Sequence, residues 1–267
     1  MESNFNSLDF YVNEFPKDEN ALKLFQGEWS SILPGVNPDL CGGSPLFDDP
    51  RMSFWVSSIH RIFPNSVANP TAFRVLELGP LEGGHTYQLA KHSWDITSIE
   101  SNSRAFLKCL ISANIYNMRA KFLLGDFEPY LASSATENSF DFVLASGVLY
   151  HLQRPVSALQ SILKCTKSLG IWTHYMNPEY LAANPDRWEW VEYPDDYSER
   201  TIPGYRQRYN IALHNKSFCG GSKSSSVWMT KDQILQVLTD HGFSYEISSI
   251  DETSPSGPSL ILFAYKP

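Results

Sequence analysis

The chain reads as an α/β protein built on an open, doubly wound, largely parallel sheet. Three observations predict this. At residues 73–84 an apolar strand pattern runs into a glycine-rich turn, Phe-Arg-Val-Leu-Glu-Leu-Gly-Pro-Leu-Glu-Gly-Gly, and a helical pattern starts at once from His85. Strand and helix patterns then alternate along the chain. Each predicted strand stops in small or polar residues, where open α/β sheets take their ligands.

The elements follow in order. A helix over about 50–63 has Pro50 near its first turn and an apolar face of Met52, Trp55, Val56, Ile59 and Ile62. The first strand (Phe73, Val75, Leu76, Leu78) carries Glu77, which can accept hydrogen bonds from a ligand hydroxyl or ammonium. The glycines after it let a ligand lie against bare backbone, and the helix start over 84–92 favours an anionic group. The second strand, 94–99, ends in Glu100 and Ser101. Glu100 stands 23 residues beyond Glu77 (100 minus 77), where a doubly wound fold sets its ribose-binding carboxylate. A helix over 102–117 leads to the third strand, 121–124, which ends Gly125-Asp126-Phe127. The fourth, 140–145, ends Ser146-Gly147-Val148-Leu149-Tyr150-His151-Leu152. A helix over 154–167 and a fifth strand over 169–175 follow. Near the C-terminus Thr230 caps an amphipathic helix stopped by Gly242, and two strands, 243–250 and 259–265, close the chain.

Glu77-x-Gly79-x-x-x-Gly83, Glu100, Gly125-Asp126-Phe127 and Phe140-Asp141-Phe142 with the Ser146–Leu152 stretch together resemble the class I S-adenosylmethionine-dependent methyltransferases. The resemblance covers roughly 50–176 plus the C-terminal end. It implies a seven-stranded Rossmann-like sheet with an antiparallel last strand. It implies S-adenosylmethionine as cofactor and S-adenosylhomocysteine as product. By the same resemblance the Glu77–Gly83 loop, with Pro80 and Leu81, holds the methionine part, and Glu100 the ribose hydroxyls. Asp126 contacts the adenine amino group with Phe127 beside the ring, and Ser146 and Gly147 flank the cofactor. Many family members have glycine where this chain has Leu81, after Pro80, so a stiffer loop is expected.

The expected division is an N-terminal arm over 1–50, a cofactor-binding core over 51–176, an inserted aromatic cap over 177–229, and a C-terminal helix and hairpin over 230–267 that complete the core. The arm carries nine acidic against two basic residues, so -7 of the net -8 sits there. Its aromatics Phe5, Phe10, Tyr11, Phe15, Phe25 and Trp29 argue against disorder. Its expected place is over the cofactor or acceptor mouth, or as a brace for the scaffold. The insertion holds Tyr180, Trp188, Trp190, Tyr193, Tyr197, Tyr205, Tyr209, Phe218 and Trp228, with seven acids against six bases. That suits a cap over a small, partly apolar acceptor, two or three rings facing it and the rest forming the cap's own core. Ser222–Ser226 reads as a mobile loop.

No Lys/Arg cluster offers itself to phosphates, which argues against a nucleic-acid substrate. No run has the length of a membrane span. Cys41, Cys109, Cys165 and Cys219 make no metal or disulfide spacing, so the expected setting is a reducing cytoplasm and no metal is expected; Cys109 and Cys165 read as core thiols.

Methyl transfer to nitrogen or oxygen calls for an aligned nucleophile and a base. His151, after the fourth strand, is the leading catalytic candidate, with a helix-capping or cofactor-touching role as its bland alternative. Tyr150 is a wall of the site. His85 could meet the cofactor carboxylate or cap its helix. His174 or Tyr175 could line the pocket, one of the two. His214, Arg206 and Arg208 could recognise an acidic acceptor or stay solvated. Three other readings stand beside methyl transfer to a small molecule: a non-catalytic cofactor-binding protein, a nicotinamide-dependent reductase, and, because Gly147-Val148-Leu149-Tyr150-His151 is also similar to them, a relative of the wobble-uridine tRNA carboxymethyltransferases. Oligomeric state is not legible.

Overall fold

Val75, Leu76 and Leu78 are all buried although they alternate between faces, the mark of a central strand covered on both sides. That strand, β1 (Arg74–Leu78), lies in a seven-stranded sheet with β2 (Asp95–Glu100), β3 (Lys121–Leu124), β4 (Phe142–Ser146), β5 (Ser168–His174), β9 (Ser244–Asp251) and β10 (Ser259–Tyr265). The order is β3-β2-β1-β4-β5-β10-β9, with β10 antiparallel to both neighbours and the first five strands parallel. The computed structural model describes residues 11–133, 136–196, 200–209 and 220–267. Phe5, Phe10, Tyr197, His214, Phe218 and Cys219 lie outside the described residues.

Helices cover both faces. α2 (Arg51–Ile62) and α4 (Gly84–Ala90) pack Met52, Trp55, Ile59 and Leu89 on Val75, Phe142, Leu144 and Phe263. α7 (Pro155–Cys165) and α9 (Lys231–Asp240) pack Leu159, Ile162, Ile234 and Leu238 on Leu76, Val143 and Leu262 from the other side. The helix ends follow local chemistry. Asn102 caps α5 (Ser103–Ile115) through the N–H groups of Arg104 and Ala105. Thr230 and Gln233 form a reciprocal capping box on α9. A helix that the pattern does not announce, α6 (Phe127–Ala132), is capped by Asp126. Cys109 and Cys165 are buried thiols.

The N-terminal residues hold a short helix, α1 (Asp18–Lys23), and a cluster of Leu22, Phe25, Trp29, Leu33, Leu40 and Phe47. This cluster packs on Tyr87 of α4 and on Ile111, Ile115 and Tyr116 at α5. Glu82, fully buried, accepts from the N–H groups of Ser30 and Ser31 at 2.8 Å each and from Lys108 Nζ at 2.6 Å. Gly84 faces the Leu46 backbone so closely that a Cβ would fall 2.7 Å from it.

Residues 177–229 hold α8 (Pro178–Ala183) and a second, antiparallel sheet of β6 (Glu189–Pro194), β7 (Thr201–Arg208) and β8 (Ser225–Trp228). Main-chain bonds join it to the core: Val227 N–H donates to Leu152 O, and Met176 N–H to Met229 O, both at 2.8 Å. The serine run is therefore not all loop, since Ser225 and Ser226 are buried strand residues. Among the described residues no helix is long and apolar enough to cross a membrane.

Candidate cofactor and acceptor site

A cavity of about 350 Å³ opens at the C-terminal ends of β1, β2, β3 and β4. It gathers Gly79, Pro80, Leu81, His85, Glu100, Ser101, Asp126, Phe127, Ser146, Gly147, Tyr150 and His151 from segments spread over 73 residues (151 minus 79, plus one). Three residues expected there are not among its walls. Glu77 is buried beneath it: its Oε2 accepts from the Thr86 hydroxyl and, at 3.0 Å, from the Ser98 hydroxyl, tying α4 and β2 to β1. Burial pushes the Glu77 carboxyl up, and its Oε1 is buried without a partner among the described residues. Gly83 is the left-handed residue that starts α4, with φ of 83°. Gly125 follows β3, its N–H donating to the Glu100 carbonyl at 2.9 Å.

The turn after β1 holds three left-handed residues, Gly79, Leu81 and Gly83. Only Leu81 carries a side chain, and its φ of 56° explains why glycine suits that position. Glu100 holds the turn: its Oε2 accepts from Leu81 N–H at 3.0 Å and its Oε1 from Asn102 N–H at 2.8 Å. Each oxygen keeps a lone pair for a further donor. Burial pushes the Glu100 carboxyl up, with these two N–H groups opposing the shift.

The sequence signals missed Arg51 and Trp172. Arg51 lines the cavity with its guanidinium 4.4 Å above the Trp172 ring. Asp49 grips that guanidinium, its two oxygens accepting from Arg51 Nε at 2.9 and 2.8 Å. The same Asp49 also accepts from the Arg51 main-chain N–H at 2.9 Å and meets His85 Nε2 at 2.8 Å, so His85 faces Asp49 and does not cap α4. Burial alone would raise the Asp49 carboxyl, but His85 and Arg51 outweigh it and hold it well below the carboxylate range. Asp49-Pro50-Arg51 reads in sequence only as a helix start; an acid two residues before an arginine was the available signal.

His151 ends a short turn after β4, and its Nδ1 lies 2.9 Å from the Tyr209 hydroxyl. Burial lowers its pKa to about 4, helped by His174, so the ring is neutral at physiological pH. Tyr150 packs between them, its ring centroid 4.1 Å from that of His151 and 4.8 Å, edge-on, from that of His174. Neither His174 nor Tyr175 lines the cavity. His174 turns its Nδ1 to the carbonyls of Gly257 and Pro258 and stacks on Trp228, and the Tyr175 hydroxyl donates to Glu252. Trp172, two residues earlier on β5, takes the place expected of one of them.

Several of the insertion's aromatics form a core of their own, as expected. Trp188 and Trp228 bury against Met176, with Tyr180 and Tyr205 beside them, because large rings under a small sheet bury one another first. Among the described residues the insertion reaches the cavity through Gly221, Ser222 and Lys223. Arg206 and Arg208 line a second cavity of about 450 Å³ that shares Asp126, Glu128 and Lys223 with the first, and both pair with Glu189.

Comparison with known proteins completes the description. A family model described as a methyltransferase domain matches residues 71–237. No curated protein matches the chain. Among solved structures, the N-terminal domain of EvdMO1 in the presence of SAH and D-fucose is 19% identical, with 93% of this chain and 94% of that chain covered and a TM-score of 0.67. The same domain with SAH bound is 18% identical, with 96% and 99% covered and a TM-score of 0.65. The magnesium protoporphyrin IX methyltransferase of Synechocystis PCC 6803 with bound SAH is 14% identical, with 81% and 83% covered and a TM-score of 0.51. At these identities the likeness is one of fold.

Proposed function

The chain belongs to the methyltransferase-domain family, and from that premise we propose that it carries a methyl group from S-adenosylmethionine to a nitrogen or oxygen of a small-molecule acceptor. One observation carries this reading: a single cavity brings Glu100 and Asp126, from the ends of β2 and β3, together with Tyr150 and His151 after β4.

The lining residues fit that cofactor. Glu100 keeps a lone pair on each oxygen for a ribose diol, and Asp126 stands beside Phe127 where an adenine amino group and ring would lie. Arg51 supplies a fixed positive charge for a carboxylate. Ser146 Oγ, buried in the wall without a partner among the described residues, is free for one more polar contact. The cofactor supplies a methyl group already activated by a sulfonium charge. The chain aligns the acceptor, excludes water and takes its proton. Trp172 and Tyr150 form the apolar walls, with their rings perpendicular at 87°. His151, neutral because it is buried, receives the proton. The EvdMO1 domain was crystallised in the presence of D-fucose, and a hydroxylated small acceptor is in keeping with the cavity here. The scattered free thiols Cys41, Cys109 and Cys165 support a cytoplasmic setting.

His151→Ala tests the reading. It should leave the affinity for S-adenosylhomocysteine near that of the parent and lower turnover by about 100-fold or more. Full turnover in that variant would remove His151 as the base.

A further inference from the structure

His151 is joined to the cap through its ring. Tyr209 follows β7 directly and stays within the hairpin, its N–H donating to Ser224 O at 3.0 Å. The next rung pairs Arg208 with Ser225. Two residues on, Val227 N–H donates to the carbonyl of Leu152, the neighbour of His151. The hairpin is therefore fixed to the main chain beside His151, and the His151–Tyr209 contact lies next to that anchor. His174, the other histidine nearby, has its Nδ1 taken by two carbonyls.

A neutral imidazole has one protonated and one bare nitrogen, and a neighbour's hydrogen bond selects between them. A phenol hydroxyl can accept from Nδ1–H or donate to bare Nδ1. In the second case Nε2 holds the ring's only proton and has no lone pair for an acceptor. We infer that Tyr209 accepts from His151 Nδ1–H, so that Nε2 keeps its lone pair for the acceptor's proton. Tyr209 is thus a positioning residue, and the inference rests on reading His151 as the base. In the transfer step the acceptor's O–H or N–H bond breaks as the Nε2–H bond forms. The released electron pair bonds the methyl carbon, while the carbon–sulfur pair returns to sulfur. The Nδ1–H···O contact then becomes charge-assisted and strengthens as the ring gains its charge.

The test is nitrogen-15 NMR of the protein labelled at its histidine rings, with kinetics of Tyr209→Phe beside it. The wild-type spectrum should show His151 protonated at Nδ1, and it decides without any variant: protonation at Nε2 overturns the inference. In Y209F, which keeps the ring, the spectrum should move toward the other tautomer. Its kcat should fall by about tenfold or more, with KM and affinity for S-adenosylhomocysteine unchanged. Wild-type tautomer and wild-type kcat in Y209F would also overturn it. If H151A loses turnover and Y209F does not, this inference alone fails; if H151A keeps turnover, the base reading fails beneath it.

Discussion

Arg51 stands in the cavity wall because Asp49 holds it there on one side and Trp172 on the other. Arg51→Gln shortens the side chain and removes the charge while keeping a polar end. A hydrogen bond to a charged group contributes about 1.5–3 kcal/mol, so affinity for S-adenosylhomocysteine should fall roughly 10- to 100-fold. Affinity for 5′-methylthioadenosine, which lacks the amino-acid tail, should not move; equal losses for both ligands would place Arg51 elsewhere. His151 makes a second prediction. Only the neutral ring accepts a proton, and burial puts its pKa at about 4, where a free imidazole titrates near 6.5. The acid limb of kcat/KM should therefore fall between about pH 4 and 5, and a limb at 6 to 7 would contradict the burial. Stability falls in the same direction but over a higher range: below about 6.5 the unfolded chain binds a proton that the folded ring refuses until about 4, so this group's contribution is lost as pH falls through that window. Glu100, Asp126 and His151 were legible because each closes a strand at a spacing the fold dictates. Arg51, Trp172 and Tyr209 were not, because their meaning comes from partners far away in the chain.

At the scale of elements, three pieces meet at Glu82: the turn after β1, Lys108 of α5, and the main chain at Ser30 and Ser31. Lys108→Met leaves a buried carboxylate with only two N–H donors and should cost about 3–5 kcal/mol in denaturant unfolding. The double replacement of Lys108 and Glu82 by Met should recover part of that loss. A single variant as stable as the parent would mean that the pair holds nothing together. The central strands and the amphipathic helices α2, α5, α7 and α9 were readable, since burial imposes their periods. α6 was not, being six residues with Pro129 inside it. Nor was the β6-β7-β8 sheet, whose pairings are non-local and whose last strand begins with two serines.

Across the whole molecule the cavity draws on the arm, the sheet and the cap at once, through Leu46, Glu100 and Lys223 among others. A ligand that bridges them should stabilise the fold as a unit. With S-adenosylhomocysteine at about 100 times its Kd the gain is about 2.7 kcal/mol, a rise in Tm of roughly 5–11 °C for a chain of this size. NADH should produce none; stabilisation by NADH alone would return the chain to the nicotinamide reading. Gly84 adds a constraint of a different kind. It lies outside the cavity walls, yet it faces Leu46, which is one of them. A methyl group at Gly84 would have to push Leu46 aside. One hydrogen atom there sets how near the arm may settle, and through Leu46 that distance reaches the cavity wall, so the girth of the chamber is tuned at a position that does not line it.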